Sequence, residues 1–258
     1  MINENSNYVR LQDNLEYLKL KQIALHLDEV TGPESVSLSF IDGLLRLTDY
    51  EVDIKRKNVV NSMISVAGFP QLKDIHQFDF DFQPTLDKKK IMALLDLGFV
   101  ERQENIVFLG SSGVGKTHLA IALGIESASH RYSTYFIKCS QLLENLRKAQ
   151  AENRLEQRLK FYSRYKLLII DELGYLPLNP GDARLLFQII DRRYEHKSTI
   201  VTTNINFSDW DTLFDDPLIA NAILDRILHH ATVIHIVGES YRLKDYLLQE
   251  EGNKENIR

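Results

Sequence analysis

The segment Gly110-Ser111-Ser112-Gly113-Val114-Gly115-Lys116-Thr117 combines residue types whose spacing suits one kind of chemistry. It fits the pattern G-x-x-x-x-G-K-[ST]. The glycines let a backbone curl until successive N–H groups converge on an anion. A lysine at that point reaches the β and γ phosphates of a nucleoside triphosphate, and the hydroxyl that follows is a hard oxygen ligand suited to Mg2+. An ordinary glycine-rich turn is the competing reading. Context argues against it. The loop lies between an apolar run, Ile106–Leu109, and an amphipathic stretch carrying Leu119, Ala120 and Leu123. A helix from Thr117 to about His130 would aim the positive end of its dipole at the phosphates. The eight residues, with His118 after them, form the candidate nucleotide-binding set.

A second element is Leu167-Leu168-Ile169-Ile170-Asp171-Glu172. Four apolar residues make a buried strand and leave two acids at its C-terminal end, the edge where open α/β sheets bind ligands. Asp171 is placed to hold Mg2+ and Glu172 to polarise an attacking water. A third strand, Thr199–Thr202, runs on into Thr203-Asn204 and can bring Asn204 to the γ-phosphate or the water. Together the three strand ends point to phosphoryl transfer to water. Arg226 sits in Ile223-Leu224-Asp225-Arg226-Ile227-Leu228, on an apolar-periodic helix expected over 216–231. Such an arginine either snorkels at the surface or projects into a neighbouring subunit's site, and periodicity does not choose.

These residues need elements to position them. From Asn105 onward, short β-branched runs (Ile106–Leu109, Thr134–Ile137, Leu167–Ile170, Thr199–Thr202, Thr232–Val237) alternate with helical stretches. Near-continuous apolar runs of this length suit parallel strands covered on both faces, giving an open five-stranded α/β sheet. Before residue 70 the pattern is helical. Leu11, Leu15, Leu18 and Leu25 suggest one helix over 7–28, and Thr31-Gly32-Pro33 a break. Phe40, Leu44, Leu47 and Ile54 suggest one face of a second helix over 37–67, ending at Gly68-Phe69-Pro70. The segment Phe78-Asp79-Phe80-Asp81-Phe82-Gln83-Pro84 reads as an ordered connector whose aromatics anchor to a core, followed by a short helix from Asp87. The expected domains are therefore a small all-α one over 1–70 and an ATPase domain over 71–258.

Composition restricts the alternatives. The chain has 31 basic and 36 acidic side chains, a net charge of -5, so any nucleic-acid surface must be local. No apolar run approaches the roughly 20 residues of a membrane span, and the N-terminus lacks a signal-peptide layout. A cytoplasmic protein with no membrane partner is expected. Cys139 is the only cysteine and reads as a small buried apolar residue. Of the eight histidines, His229, His230 and His235 have no companion acid or cysteine at ligand spacing along the chain, and no metal site is expected there.

With these elements in place, the chain resembles the IstB-like helper ATPases of bacterial insertion sequences. These are relatives of the DnaC-type replicative helicase loaders within the AAA+ class. The resemblance runs through GSSGVGKTHLAIALGIE, LLIIDELGYLPL, RRYEHKSTIVTTN, AILDRILHHA and GESYRL, and more loosely through an A-x-F-P turn (Ala67–Pro70) before the DFDF segment. It implies a P-loop core with strand order 5-1-4-3-2 and a helical N-terminal domain. It also implies ATP and Mg2+ as ligands, with Lys116 and Thr117 as the Walker A pair, Asp171 and Glu172 as the Walker B pair, Asn204 as sensor and Arg226 as a finger acting in trans. The partners it implies are double-stranded DNA, further copies of the chain in an ATP-dependent ring or spiral, and a transposase. A helicase loader is the alternative. Two departures stand out. The stretch before the A-x-F-P turn, with Lys55, Arg56 and Lys57, is less basic than the family's and has Gly68 where arginine is usual. Residues 238–258 are also too few for a full helical lid, and Arg242 either substitutes for a lid-borne phosphate sensor or is a solvated arginine.

One segment is locally basic. Between Glu144 and Lys166 lie seven basic residues against three acidic ones. Arg147, Arg154 and Arg158, spaced seven and four apart, would share one face of a continuous helix. They are candidate DNA contacts along with Lys55, Arg56 and Lys57, and a solvated helix laced with ion pairs is the competing reading.

Replacing Lys116 with alanine should abolish ATP binding in a calorimetric titration at millimolar Mg2+. Retained affinity would remove the loop from the site.

Overall fold

A computed structural model describes residues 3–32, 38–175, 178–214 and 216–244. The chain divides into two compact units, 1–62 and 63–258.

In the first unit, α1 (Asn3–Tyr17), α2 (Lys21–His26), α3 (Asp28–Thr31) and the start of α4 (Phe40–Val66) enclose a small core of Leu15, Ile23, Leu27 and Leu47. The single helix expected over 7–28 does not form. Lys19 takes a left-handed φ of 58°, which ends α1 and resets the helical phase. Of the leucines predicted to share a face, Leu15 is buried, whereas Leu11, Leu18 and Leu25 are exposed; Ile23 and Leu27 take the inward positions after the break. In α4 likewise, Leu47 is buried, while Phe40 and Leu44 are exposed. Glu51 is buried because the backbone N–H of Gln22 donates to its carboxylate at 2.9 Å. The break expected at 31–33 begins on time, since α3 ends at Thr31; Pro33 lies outside the described residues.

The second unit is an α/β sandwich. Five parallel strands, β1 (Asn105–Gly110), β2 (Thr134–Lys138), β3 (Leu167–Leu173), β4 (Ser198–Thr203) and β5 (Ala231–Ile236), lie in the order β2-β3-β4-β1-β5. That is the expected 5-1-4-3-2 order read from the other edge. Successive strand residues alternate between two cores, as a pleat requires. Ile106, Phe108, Leu167, Ile169 and Ile200 face α7 (Lys116–Ser129) together with α5 (Lys88–Leu94) and α6 (Gly98–Glu101). Val107, Leu168, Ile170 and Val201 face the opposite layer of α8 (Cys139–Ala151), α9 (Leu155–Ser163), α10 (Asp182–Arg193) and α12 (Pro217–Leu228), with the short α11 (Trp210–Leu213) beside it. Each of these strand side chains is essentially solvent-free, and burying one stabilises the fold by roughly 1.5–3 kcal/mol.

Two features tie the sheet to the segments around it. At Ala67–Pro70 the helical segment ends with Gly68 at a left-handed φ of 76°, the Phe136 N–H donates to the Ala67 carbonyl at 2.7 Å, and Phe69 rests near the Phe136 ring. Arg193, fully buried at the end of α10, donates to the carbonyls of Tyr162, Tyr165 and Ser198 and to the Thr199 hydroxyl, which ties α9 to the start of β4. Burial pulls the Arg193 guanidinium well below the usual arginine range. Cys139 is buried as expected, and desolvation pushes its thiol up to about 12. Among the described residues no helix is long and apolar enough to cross a membrane.

Candidate nucleotide site

Three strands deliver the candidate residues to one edge of the sheet. β1 ends in Gly110, the loop 111–115 turns back, and α7 begins at Lys116, one residue earlier than expected. Gly113 and Gly115 take left-handed φ values of 84° and 102°. Each is also closely approached from outside the loop. A side chain at 113 would place its Cβ 2.0 Å from Ser240 Oγ, and one at 115 would place it 2.5 Å from Phe78 Cε2. The Lys116 ammonium donates to the carbonyls of Gly110 and Ser111 at 2.7 and 2.6 Å, which holds its charge inside the loop. Burial lowers the pKa of Lys116; Asp171 opposes that shift and Arg242 reinforces it.

Asp171 is the centre of the site and is 1% exposed. Its Oδ1 accepts from the Thr117 hydroxyl at 2.9 Å and from the Thr202 hydroxyl at 2.6 Å. Its Oδ2 is buried with no hydrogen-bond partner among the described residues. Desolvation pushes this carboxyl above the usual carboxylate range, and the two hydroxyls hold it back. A buried carboxylate oxygen left open beside a threonine hydroxyl is a donor set that fits a hard divalent cation or one of its waters.

Glu172 follows at an irregularity in the β3–β4 ladder, between Ile170 and Leu173, with a left-handed φ of 60°. Its backbone N–H donates to Thr202 Oγ1 at 2.9 Å, and its carboxylate meets the Lys138 ammonium at 2.8 Å. Thr202 thus accepts from one acid's backbone and donates to the other acid's side chain. Asn204, just beyond β4, and Arg242 are both exposed and line the same cavity, whose volume is about 430 Å³. Small-ligand sites run roughly 300–1,000 Å³.

The cavity's remaining wall comes from two segments whose role the sequence did not disclose. Gln83 donates through Nε2 to the Glu239 carbonyl, Thr85 to the Val237 carbonyl, Tyr241 N–H to the Gly113 carbonyl, and Lys244 to Asp79. Phe82 meets Tyr241 edge-on. The aromatic connector and the tail after β5 therefore clasp each other beside the loop. His118 contributes from α7: its Nε2 pairs with the Asp74 carbonyl at 2.8 Å, its ring meets Phe78 edge-on, and burial lowers its pKa.

Residues 13–248 match the family model of IstB-like ATP-binding proteins. The chain belongs to that family. Among the relatives it resembles are the protein of insertion sequence IS232 from Bacillus thuringiensis subsp. berliner, named for ATP binding, at 58% identity over 95% of this chain and 98% of the relative. The counterpart from IS5376 of Geobacillus stearothermophilus is 44% identical over 85% and 87%. Of solved structures, the DnaC helicase loader is 27% identical with a TM-score of 0.51, covering 57% of this chain and 86% of the loader. AMPPCP-bound DnaA from Aquifex aeolicus, at 19% identity and a TM-score of 0.55 over 73% of this chain and 57% of DnaA, shares the fold. The IstB-like chain accordingly has an AAA+ P-loop core.

Other predicted residues of this IstB-like chain lie away from the cavity. Arg226, on α12, donates from Nε to Asp191 at 2.8 Å and lies 4.6 Å over the Phe187 ring, so it faces α10 and is not in its own chain's cavity. The continuous basic face expected from Arg147 to Arg158 does not exist. α8 ends at Ala151, Asn153 takes a left-handed φ of 56°, and Arg154 only precedes α9, so the helical phase does not carry across. Arg147 donates from Nη1 to both carboxylate oxygens of buried Asp182, each at 2.7 Å, and Arg154 is paired with Glu152. Arg158 meets no carboxylate among the described residues and instead covers the Phe161 ring. In the helical unit, Lys55 is 3.5 Å from Glu51 and Arg56 is 4.0 Å from Asp53, while Lys57 is exposed. The sequence also failed to find an acid near the histidines: Glu195, from the turn after α10, lies 3.6 Å from His230 and 3.9 Å from His229. Leu176 and Pro177 of the LGYLPL stretch, and the tail from 245 onward that bears on the lid, lie outside the described residues.

Gly115→Ala should weaken ATP binding about tenfold or more, from backbone strain and the clash with Phe78. Unchanged affinity by fluorescence titration would show that the loop tolerates a side chain there.

Proposed function

We propose that this IstB-like chain is a Mg2+-dependent ATPase that assembles on duplex DNA as an ATP-dependent homo-oligomer and recruits the transposase of its insertion sequence. The observation that carries the ATPase reading is Thr202, whose one hydroxyl ties Asp171 to the backbone of Glu172. The helper reading is supported by curated relatives, named for insertion sequences, that match along nearly the whole chain.

ATP would lie with its phosphates in the loop 110–117, against Lys116 and the N-terminus of α7. Asp171 and Thr117 would hold Mg2+, which when bound neutralises charge on the transferring phosphoryl group. Glu172 would orient and polarise the attacking water, with Lys138 restraining its carboxylate. Asn204 and Arg242 would contact the terminal phosphate from the two sides of the cavity. Arg226, absent from its own chain's cavity, would act in a neighbouring subunit's site after leaving Asp191.

For the ATPase unit's DNA contacts, the pairing of each cation supports a shorter set than the spacing alone. Arg147 and Arg154 have their charge answered within the chain. Arg158 and Arg164 flank the Phe161 ring, with their guanidinium carbons 5.6 and 4.6 Å from its centre, and Lys166 lies 4.3 Å from the Tyr132 ring. None of these three meets a carboxylate within 4 Å among the described residues. Cations held on aromatic faces stay available to backbone phosphates, and contacts of that kind bind without reading sequence. In the helical unit, Lys57 is the exposed member of its run that meets no carboxylate within 4 Å among the described residues. The second reading, a helicase loader, is favoured by the likeness to the DnaC loader.

Glu172→Gln should bind ATP normally, lose turnover by roughly 100-fold or more, and accumulate on duplex DNA when ATP is present. Accumulation on single strands instead would favour the loader. Arg158→Glu with Arg164→Glu should weaken duplex binding and flatten the slope of log affinity against log salt by about 2. An unchanged slope by anisotropy would place the contacts elsewhere.

A further inference from the structure

Outside the nucleotide cavity, the turn after α10 and the turn before β5 bring three metal-ligating side chains together. Glu195, His229 and His230 each offer a ligand atom, and the three atoms lie within 4.8 Å of one another. We propose that these residues form a binding site for a divalent transition ion of the zinc type. The proposal does not depend on the functional reading above.

The spacing supports it. A tetrahedral zinc ion with ligand bonds near 2.0–2.1 Å needs neighbouring ligand atoms about 3.4 Å apart. Glu195 Oε1 is already 3.6 Å from His230 Nε2 and 3.9 Å from His229 Nδ1. The two imidazole centres are 3.9 Å apart. Small side-chain rotations close the set. Two imidazoles and one carboxylate suit zinc, nickel or copper better than magnesium or calcium.

Both turns are anchored from below. On one side, the N–H groups of His196 and Lys197 donate to the Arg193 carbonyl, and the Arg193 side chain is itself locked in the core. Glu195 takes a left-handed φ of 57° within that turn. On the other side, the Asn105 N–H donates to the His230 carbonyl at 2.7 Å, and its side-chain amide donates to the Ile227 carbonyl at 3.0 Å. The ligands are exposed, yet the backbone that carries them is fixed, so an ion meets a set that is already gathered.

Occupancy would be felt at Arg226. The Tyr194 hydroxyl is 2.6 Å from His229 Nδ1, and the Arg226 guanidinium carbon lies 5.8 Å from the centre of the Tyr194 ring. An ion taking that nitrogen displaces the tyrosine hydroxyl, and the ring beneath the arginine becomes free to turn.

The test is a calorimetric titration of the chelator-stripped full chain with zinc chloride, without nucleotide. A parallel titration with Co2+ follows the visible absorption of a low-coordinate nitrogen-ligated ion. One equivalent is expected to bind at micromolar concentration. His230→Ala and Glu195→Gln, changed singly, should each weaken binding at least about tenfold and bleach the cobalt bands. Both variants should keep their affinity for ATP, which shows that the fold is intact, and Asp171→Asn should leave the zinc isotherm unchanged. The proposal is overturned if the unaltered chain takes up no zinc below millimolar concentration, or if the two variants bind as it does.

Discussion

The nucleotide site depends on one buried carboxylate and the two hydroxyls that hold it. Asp171 is almost solvent-free, and a charge in that position is costly unless it is answered. Thr117, from the helix after β1, and Thr202, from β4, both donate to its Oδ1. Those bonds fix the ends of β1, β3 and β4 relative to one another. They also leave Oδ2 as a buried acceptor with no donor among the described residues. The sheet order makes this possible, since β4 lies between β1 and β3 and so borders both the loop and the acids.

The same threonine extends the constraint to Glu172. Accepting the Glu172 N–H requires the strand to bulge and that residue to adopt a left-handed conformation, which costs of order 1–3 kcal/mol. The consequence is directional. Successive residues of a regular strand point to opposite faces, whereas the bulge lets Asp171 turn inward to the hydroxyls while Glu172 reaches the cavity and Lys138. The connector and the tail close the other side. Phe78 and Ser240 approach Gly115 and Gly113 so closely that the loop's shape depends on them as well as on its own glycines.

Much of this was legible in the sequence because it was local. Each β-branched run became a strand, and the loop pattern, the acidic pair and Asn204 arrived at one edge because parallel strands separated by helices put all their C-terminal ends together. What could not be read was set by contacts across the chain. Lys138 meets Glu172 through the β2–β3 register, Glu195 meets His229 and His230 across two turns, and Asp182 captures Arg147 from 35 residues away. Periodicity also failed where single residues at positive φ reset the helical phase, at Lys19 and at Asn153. In both places the sequence carries no glycine or proline to mark the break.

The central claim is that Asp171, Thr117 and Lys116 together make a site for a magnesium-bound triphosphate. Equilibrium binding of ATP to the full chain, measured with millimolar Mg2+ and again with the metal chelated, tests it most directly. Binding that is tight with the metal and much weaker without it is the predicted result. No binding in either condition, or equal affinity in both, would contradict the account.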